Sequence, residues 1–237
     1  MVDGPKKIVR HEARTTDRDL VPPLSPNLEA ITAHIEKHLG APATVFHELV
    51  SELVHVDIHI VAPTAERNYY TLVTSGMSDR AMNVPANFET RRFAELVICL
   101  PGDWPMEHAA WKDERNYWPI RLLKVLARFP HQYSTWLGVG HTVPNGNFAR
   151  RYAANTRMCC ALLLPPILAP QDFWMLHVDP QTVINFYGVF PLYRQEMRFN
   201  LRHGRDPLCH RLADHAVSEL LDVNRVNVCK KRFGFFR

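Results

Sequence analysis

The first regular pattern of apolar residues follows Pro22-Pro23 and has the period of an amphipathic helix. Ser25 precedes it as a helix cap, Pro26 suits the first helical position, and Gly40 follows as a stop. We therefore expect a helix here, preceded by a flexible arm over residues 1–24, which lack periodicity. The apolar positions that recur at helical spacing are Leu28, Ile31, Ile35 and Leu39.

Residues 54–61 change to a period of two, which is typical of a half-buried strand. Valine and isoleucine alternate there with the polar residues His55, Asp57 and His59. Residues 69–74 are rich in β-branched and aromatic side chains and follow a polar turn, so the two runs predict a hairpin. The extended runs predicted along the chain are 54–61, 69–74, 93–100, 158–164, 173–178 and 182–190.

Three further helices are indicated by proline starts and apolar stripes. One runs from Pro119 to Pro130, and two close the chain at 191–203 and 207–221, the last capped by Asp206. Strands in two groups, without regular βαβ alternation, favour the α+β class. We expect a mixed or antiparallel sheet of about six strands packed with helices.

Composition places the chain among ordinary globular proteins, with 46% hydrophobic and 22% charged residues. No apolar run approaches the ~20 residues of a membrane span, and the first residues lack a signal-peptide core, which predicts a cytoplasmic protein without a membrane partner. The cysteines are odd in number and show no C-x-x-C spacing, so we expect reduced, mostly buried thiols. They are Cys99, Cys159, Cys160, Cys209 and Cys229.

Positive charge is concentrated at the C-terminus. Residues 223–237 hold five basic residues and no acid, whereas the net charge of the whole chain is +4. This basic, aromatic tail leaves nucleic-acid association open as a weaker functional alternative. The rest of the chain lacks the charge of a domain built to neutralise phosphates.

Motifs of familiar enzyme classes are incomplete. His47-Glu48 begins the zinc-protease signature, but Ser51 stands where the second histidine is needed. The turn at Gly76 lacks the second glycine of a nucleophile elbow, and Gly138-Val139-Gly140 lacks the third glycine and the lysine of a nucleotide loop. A catalytic residue is therefore not indicated, and no cofactor is expected.

One enzymatic alternative remains open. His55, Asp57 and His59 project from one face of the predicted strand, where two imidazoles two residues apart can share a metal ion if a further ligand arrives from elsewhere. These residues define the alternative of a metal-dependent hydrolase. A polar strand face that is only hydrogen-bonded or solvated explains the same pattern without a metal.

Several blocks of sequence, in order, resemble the Suppressor of fused family. The match extends over roughly residues 25–222, which we take as the domain, with 223–237 as its tail. The blocks are Tyr69–Asp79, Phe93–Ile98, Trp118–Leu123, Leu126–Phe129, Gly140–Thr142 and Thr182–Val189 with Glu196.

The resemblance implies an α+β domain like the N-terminal lobe of the eukaryotic members. Those proteins bind and restrain the zinc-finger transcription factors of Hedgehog signalling and are not enzymes. This chain stops where their second lobe begins, so it resembles a single-lobe bacterial-type member. That group has been proposed to include immunity proteins that neutralise toxins by binding them. The resemblance therefore implies a non-enzymatic protein-binding module, as an immunity or regulatory protein.

In the eukaryotic members the partner peptide adds as a strand close to the loop after the W-P helix. Phe129 matches an aromatic position at that helix end, and His141 matches a histidine of the family. Gly140 stands where the relatives carry an acidic residue. Tyr133 and Trp136 lie in the same stretch and are natural interface anchors, because aromatic side chains concentrate binding energy. We expect these five residues to form the partner-binding site.

Gly76, Ser78 and Asp79 are expected to define a turn of the fold rather than to contact a partner. The expected partner is a protein, either a toxin or a regulatory protein, and a homodimer that supplies the missing wall of the cleft is a further alternative.

Overall fold

The computed structural model describes residues 25–47 and 53–230. The predicted arm, residues 1–24, and the end of the tail, residues 231–237, lie outside the described residues. The helices are α1 Leu28–Leu39, α2 Glu114–Tyr133, α3 Arg194–His203 and α4 Arg205–Asp214. The strands are β1 Thr44–Phe46, β2 Asp57–Val61, β3 Tyr69–Ser75, β4 Phe93–Pro101, β5 Thr142–Pro144, β6 Met158–Leu164, β7 Met175–Asp179 and β8 Thr182–Tyr193.

All eight strands belong to one mixed sheet with the order β1-β2-β3-β4-β8-β6-β5, and β7 pairs separately with β8. Strands β4 and β8 pair in parallel, and the other pairs are antiparallel. The predicted α+β class is therefore confirmed, and β2 and β3 form the predicted hairpin. The sheet has eight strands where about six were predicted, because β1 and β5 are three residues long and too short to show a period.

Both faces of the sheet are covered, because successive side chains of a strand point to opposite faces. Leu96 of β4 packs under α2, whereas the next residue, Val97, packs under α1. Leu208 and Leu212 of α4 cover Leu162 and Phe190 at the other end of the sheet. The central strands are thus buried on both sides and read as apolar runs.

Helix α1 begins at Leu28 with Asn27 as its cap residue, so the prediction that Ser25 caps it is wrong. The Ser25 hydroxyl instead donates a hydrogen bond to Asp79, more than fifty residues away. The oxygen of the same hydroxyl accepts from the backbone N–H of Asn27 at 3.3 Å, ahead of the first helical residue, so Ser25 contacts both the entry to α1 and the turn after β3.

Helix α2 begins five residues before Pro119 and continues three residues past Pro130, so both predicted ends are wrong. Asp113 caps it by accepting a hydrogen bond from the backbone N–H of Arg115 at 2.9 Å. It ends at Ser134, whose φ is +49°. A proline inside a helix loses one backbone hydrogen bond, and packing of Pro119 and Pro130 into the interior compensates for that loss here.

The two closing helices are shorter than predicted. Residues 191–193 are the end of β8, paired with β6, so α3 begins at Arg194. Helix α4 ends at Asp214, and its cap residue is Gly204 rather than Asp206. Residues 219–221 run alongside β4, where the backbone N–H of Cys99 donates to the Glu219 carbonyl at 3.0 Å. Pairing with a neighbouring strand overrides the local helical pattern at both places.

Candidate functional site

The turn after β3 is built around a buried carboxylate. Glu95 of β4 is fully buried, and its Oε1 accepts hydrogen bonds from the backbone N–H of Gly76 at 3.0 Å and of Ser78 at 2.9 Å. The Ser78 hydroxyl donates to the same oxygen at 2.7 Å, and the Thr74 hydroxyl donates to Oε2 at 2.6 Å. Four donors thus hold one side chain, and the turn is fixed to β4.

The same turn joins the two large helices. Gly76 has a φ of +104°, which glycine adopts without strain. Asp79 accepts from Ser25 ahead of α1, and the Met77 carbonyl lies 3.0 Å from Nε2 of His131 in α2. Because a carbonyl only accepts, Nε2 carries the proton. The predicted turn residues therefore lie at a junction of α1, α2 and β4, which is the placement that a fold-defining role requires.

Glu95 gives a testable pH dependence. Burial raises its pKa to about 7 from an ordinary value of 4.5, against the hydrogen bonds from Thr74 and Ser78. The folded protein therefore binds this proton more tightly than the unfolded chain, and its contribution to the free energy of unfolding falls as pH rises from about 4.5 to about 7. We expect the Glu95→Gln variant to lack that fall. Its free energy of unfolding minus that of the wild type should rise across this range in urea titrations followed by circular dichroism.

Two histidines change the free energy of unfolding in the opposite direction over part of this pH range. The effect of Glu95 must therefore be measured as the difference between the variant and the wild type. Burial lowers the pKa of both His59 and His131 to about 4. These groups stabilise the folded state above pH 6.5 and lose that contribution as pH falls through about 4. They are present in both proteins and cancel in the difference. A difference that stays flat between pH 4.5 and 7 contradicts the raised pKa of Glu95.

The predicted binding residues lie in and after the last turns of α2. The rings of Phe129 and Tyr133 are 4.8 Å apart, and those of Trp136 and His141 are 4.3 Å apart. All four side chains are half-buried, and both Phe129 and Trp136 pack against the largest hydrophobic core. The ring of Phe88, which is partly exposed, lies 5.3 Å from Trp136. The structure therefore places these side chains at the boundary between core and solvent.

Gly140 makes the bend that brings this loop back to the sheet. Its φ is +89°, and its backbone N–H donates to the Leu163 carbonyl of β6 at 2.7 Å. The N–H of Leu163 in turn donates to the His141 carbonyl at 3.0 Å. His141 thus leads directly into β5, which is the last strand in the sheet order.

Strand β5 leaves one of its edges open among the described residues. In an antiparallel pair, the backbone groups of alternate residues point toward the partner strand. The His141 carbonyl and the Asn145 N–H both bond to β6, so the backbone N–H and carbonyl of Thr142 point away from it. Pro144 also points outward and has no N–H. Thr142 therefore supplies the outward-pointing amide of β5.

The polar face of β2 is engaged within the protein. Asp57 lies 3.0 Å from Nε2 of His55 and 3.0 Å from Nδ1 of His47. His59 places Nε2 2.9 Å from the Ser75 hydroxyl. Within residues 25–47 and 53–230, the structure holds no group of three histidine, cysteine or acidic side chains arranged for a metal ion. The carboxylate needed by the hydrolase alternative is thus occupied by two imidazoles.

The cysteines are not paired with one another, and burial raises the pKa of the Cys99 thiol to about 12. A thiol whose pKa is raised in this way is a poor nucleophile at neutral pH.

Among the described residues, no helix is both long and apolar enough to cross a membrane.

Sequence reasoning missed two carboxylates that organise the molecule. Glu95 is one acid inside the apolar run 93–100, and that contrast was a usable signal of a buried, hydrogen-bonded side chain. Glu196 is fully buried and receives both terminal nitrogens of Arg225 at 2.7 Å. Arg225 looks in the sequence like one more charge of a basic tail. The packed part of the chain therefore extends past residue 222.

Comparison with known proteins gives one family and several solved structures of the same fold. A family model described as Suppressor of fused protein matches residues 52–226. Comparison with curated protein sequences gives no significant match. A solved structure of a suppressor of fused homologue from Neisseria gonorrhoeae is 19% identical with a TM-score of 0.60, and the match covers 86% of this chain and 97% of that one.

Two further structures share the fold. A Sufu–Fu complex structure is 16% identical with a TM-score of 0.58, over 86% of this chain and 93% of that one. Drosophila Suppressor of Fused is 14% identical with a TM-score of 0.58, over 88% of this chain and 52% of the Drosophila protein. The chain therefore corresponds to about half the length of the Drosophila protein.

Proposed function

Because the chain belongs to the Suppressor of fused family, we propose that it is a non-enzymatic protein-binding module that sequesters one protein partner. The observation that carries the proposal is the edge of β5, directly after the aromatic loop, which no strand of the described residues covers. One relative of the same fold was solved as a Sufu–Fu complex, which supports binding of a protein. The partner is a toxin or a regulatory protein, and the chain acts on it by occupying its surface.

The edge of β5 is suited to receive an extended segment. A peptide that adds as a strand gains affinity from main-chain hydrogen bonds, and side chains beside the edge supply specificity. Thr142 offers an outward N–H and carbonyl, and His141, whose ring lies 4.3 Å from that of Trp136, stands one residue before the strand. Phe129 and Tyr133 extend this surface along the end of α2. Gly140 acts by its backbone, because its bend aims the loop at β5.

A proline substitution tests the edge directly. Thr142→Pro removes the outward N–H of β5 and leaves the hydrogen bonds to β6 in place. We expect the tagged variant, expressed in its own cells, to lose the protein partner that the wild type retains, with a reduction of about tenfold or more in recovered partner. Quantitative mass spectrometry of the purified complexes measures the recovery.

The matched control is Thr142→Val, which keeps the N–H and the strand propensity. It should recover the partner as the wild type does. Equal recovery by the proline variant would place the interface elsewhere on the molecule. Recovery of no stoichiometric protein by the wild type would count against a binding module altogether.

A further inference from the structure

The loop between β5 and β6 carries a compact group of positive charge around one exposed aromatic ring. Phe148 is 75% exposed, and all five arginines of the group are exposed. We call this surface the arginine patch; it consists of Phe148, Arg150, Arg151, Arg157, Arg194 and Arg198.

Hydrogen bonds hold the patch in shape. Arg194 at the start of α3 donates from Nη2 to the carbonyls of Phe148 and Ala149 at 2.9 and 2.8 Å. The Asn145 side chain donates to the carbonyls of Arg150 and Arg151 at 2.9 and 3.3 Å. The loop is thus fixed before any partner arrives, which lowers the entropic cost of binding.

The sheet register brings the separate arginines together. Met158 pairs with Tyr193, so Arg157 and Arg194, which lie next to them in sequence, meet at one end of the sheet. Arg198 follows Arg194 by one helical turn and therefore shares its face of α3. The charges of Arg194 and Arg198 both act on the Cys159 thiol, against the burial that raises its pKa.

Among the residues that the structure describes, acidic side chains do little to neutralise the patch. Residues 115–171 contain no aspartate or glutamate. Glu196 of α3 is fully buried against Arg225, and Glu114 pairs with Arg121. Asp222 is exposed, and its charge reaches Tyr193, so it marks the border of the patch. The surface therefore has a net positive potential that suits a negatively charged partner.

We propose that the arginine patch binds an acidic segment of the partner protein, next to the strand that adds to β5. This inference rests on the proposed function and names the chemistry of the partner. The loop that carries the patch begins directly after Pro144, so an extended segment lying along β5 continues over that loop. Guanidinium groups pair with carboxylates through two parallel hydrogen bonds, and Phe148 gives an apolar anchor between them.

A synthetic peptide provides the probe. It has a strand-forming part of about six alternating valine and threonine residues, followed by about four glutamates. Fluorescence anisotropy compares its affinity for the wild type, for the charge-reversed variant R150E/R198E, and for the control variant K37E/R92E. Lys37 and Arg92 are exposed residues in α1 and before β4, and their reversal changes the net charge equally.

We expect R150E/R198E to bind the glutamate peptide at least about tenfold more weakly than the wild type, and K37E/R92E to remain within about twofold. A peptide with lysine in place of glutamate should bind R150E/R198E more tightly than it binds the wild type, because the reversal removes most of the positive charge that repels lysine. This opposite change in affinity is the readout that a merely damaged fold does not give.

Three results would overturn the inference. They are equal affinity for a peptide with glutamine in place of glutamate, an equal loss of affinity in K37E/R92E, and tighter, patch-dependent binding of single-stranded DNA than of the peptide. None of these results bears on the proposed function, which is tested separately by the amount of partner recovered with Thr142→Pro. Conversely, R150E/R198E could retain the partner while Thr142→Pro loses it. That result would support the edge of β5 as the binding site and contradict only the acidic segment.

Discussion

Replacing Gly76 with alanine should remove more than about 4 kcal/mol of the free energy of unfolding and leave little folded protein. The φ of +104° disfavours any residue with a Cβ atom. A Cβ at this position also meets the backbone carbonyl oxygen of His55 at 1.7 Å. That oxygen belongs to the main chain, so it moves only if the start of β2 moves with it. Urea unfolding followed by circular dichroism measures the loss.

Gly146 is the matched control for this substitution. Its φ is +78°, but apart from its chain neighbours none of the described residues has an atom within 4 Å of the position that a Cβ would take. Gly146→Ala should therefore cost only backbone strain, about 1 kcal/mol. Similar losses in both variants would contradict the clash with His55 as the cause.

Replacing Arg225 with alanine should cost about 3–5 kcal/mol, because it leaves the Glu196 carboxylate buried without its counter-charge. The two side chains are 10% and 0% exposed. Arg225 also donates to the Pro191 carbonyl at 2.8 Å, so it joins the C-terminal segment to the end of β8. We expect residues 223–230 to become accessible to proteases in the variant, and limited proteolysis with mass spectrometry locates the cleavage.

Arg115 provides a control for Arg225, because its ion pair is exposed to solvent. It pairs with Asp113, but the two side chains are 63% and 37% exposed. Arg115→Ala should therefore leave the free energy of unfolding close to that of the wild type, because water replaces the lost contact. A loss in Arg225→Ala as small as this would mean that Glu196 finds other compensation.

The predicted binding residues were chosen by their type and their place in the family pattern, whereas the sequence did not predict the strand edge that they adjoin. Strand β5 is three residues long and contains a proline, so no period identifies it in the sequence. The outward direction of the Thr142 amide depends on the pairing with β6. The arginine patch likewise joins residues from a loop and from α3 that only the register of β6 with β8 brings side by side.

The α+β class, the hairpin of β2 and β3, and membership of the family could all be predicted from the amino-acid sequence, because they depend on local periodicity and on the order of short blocks of residues. The ends of α2 and of the closing helices, and the burial of Glu95 and Glu196, depend on tertiary contacts. Ser25 bonds to Asp79 from a position ahead of Asn27, the cap residue of α1, and Arg225 neutralises Glu196 instead of facing solvent. In both cases the partner is distant in sequence, so no local pattern identifies it.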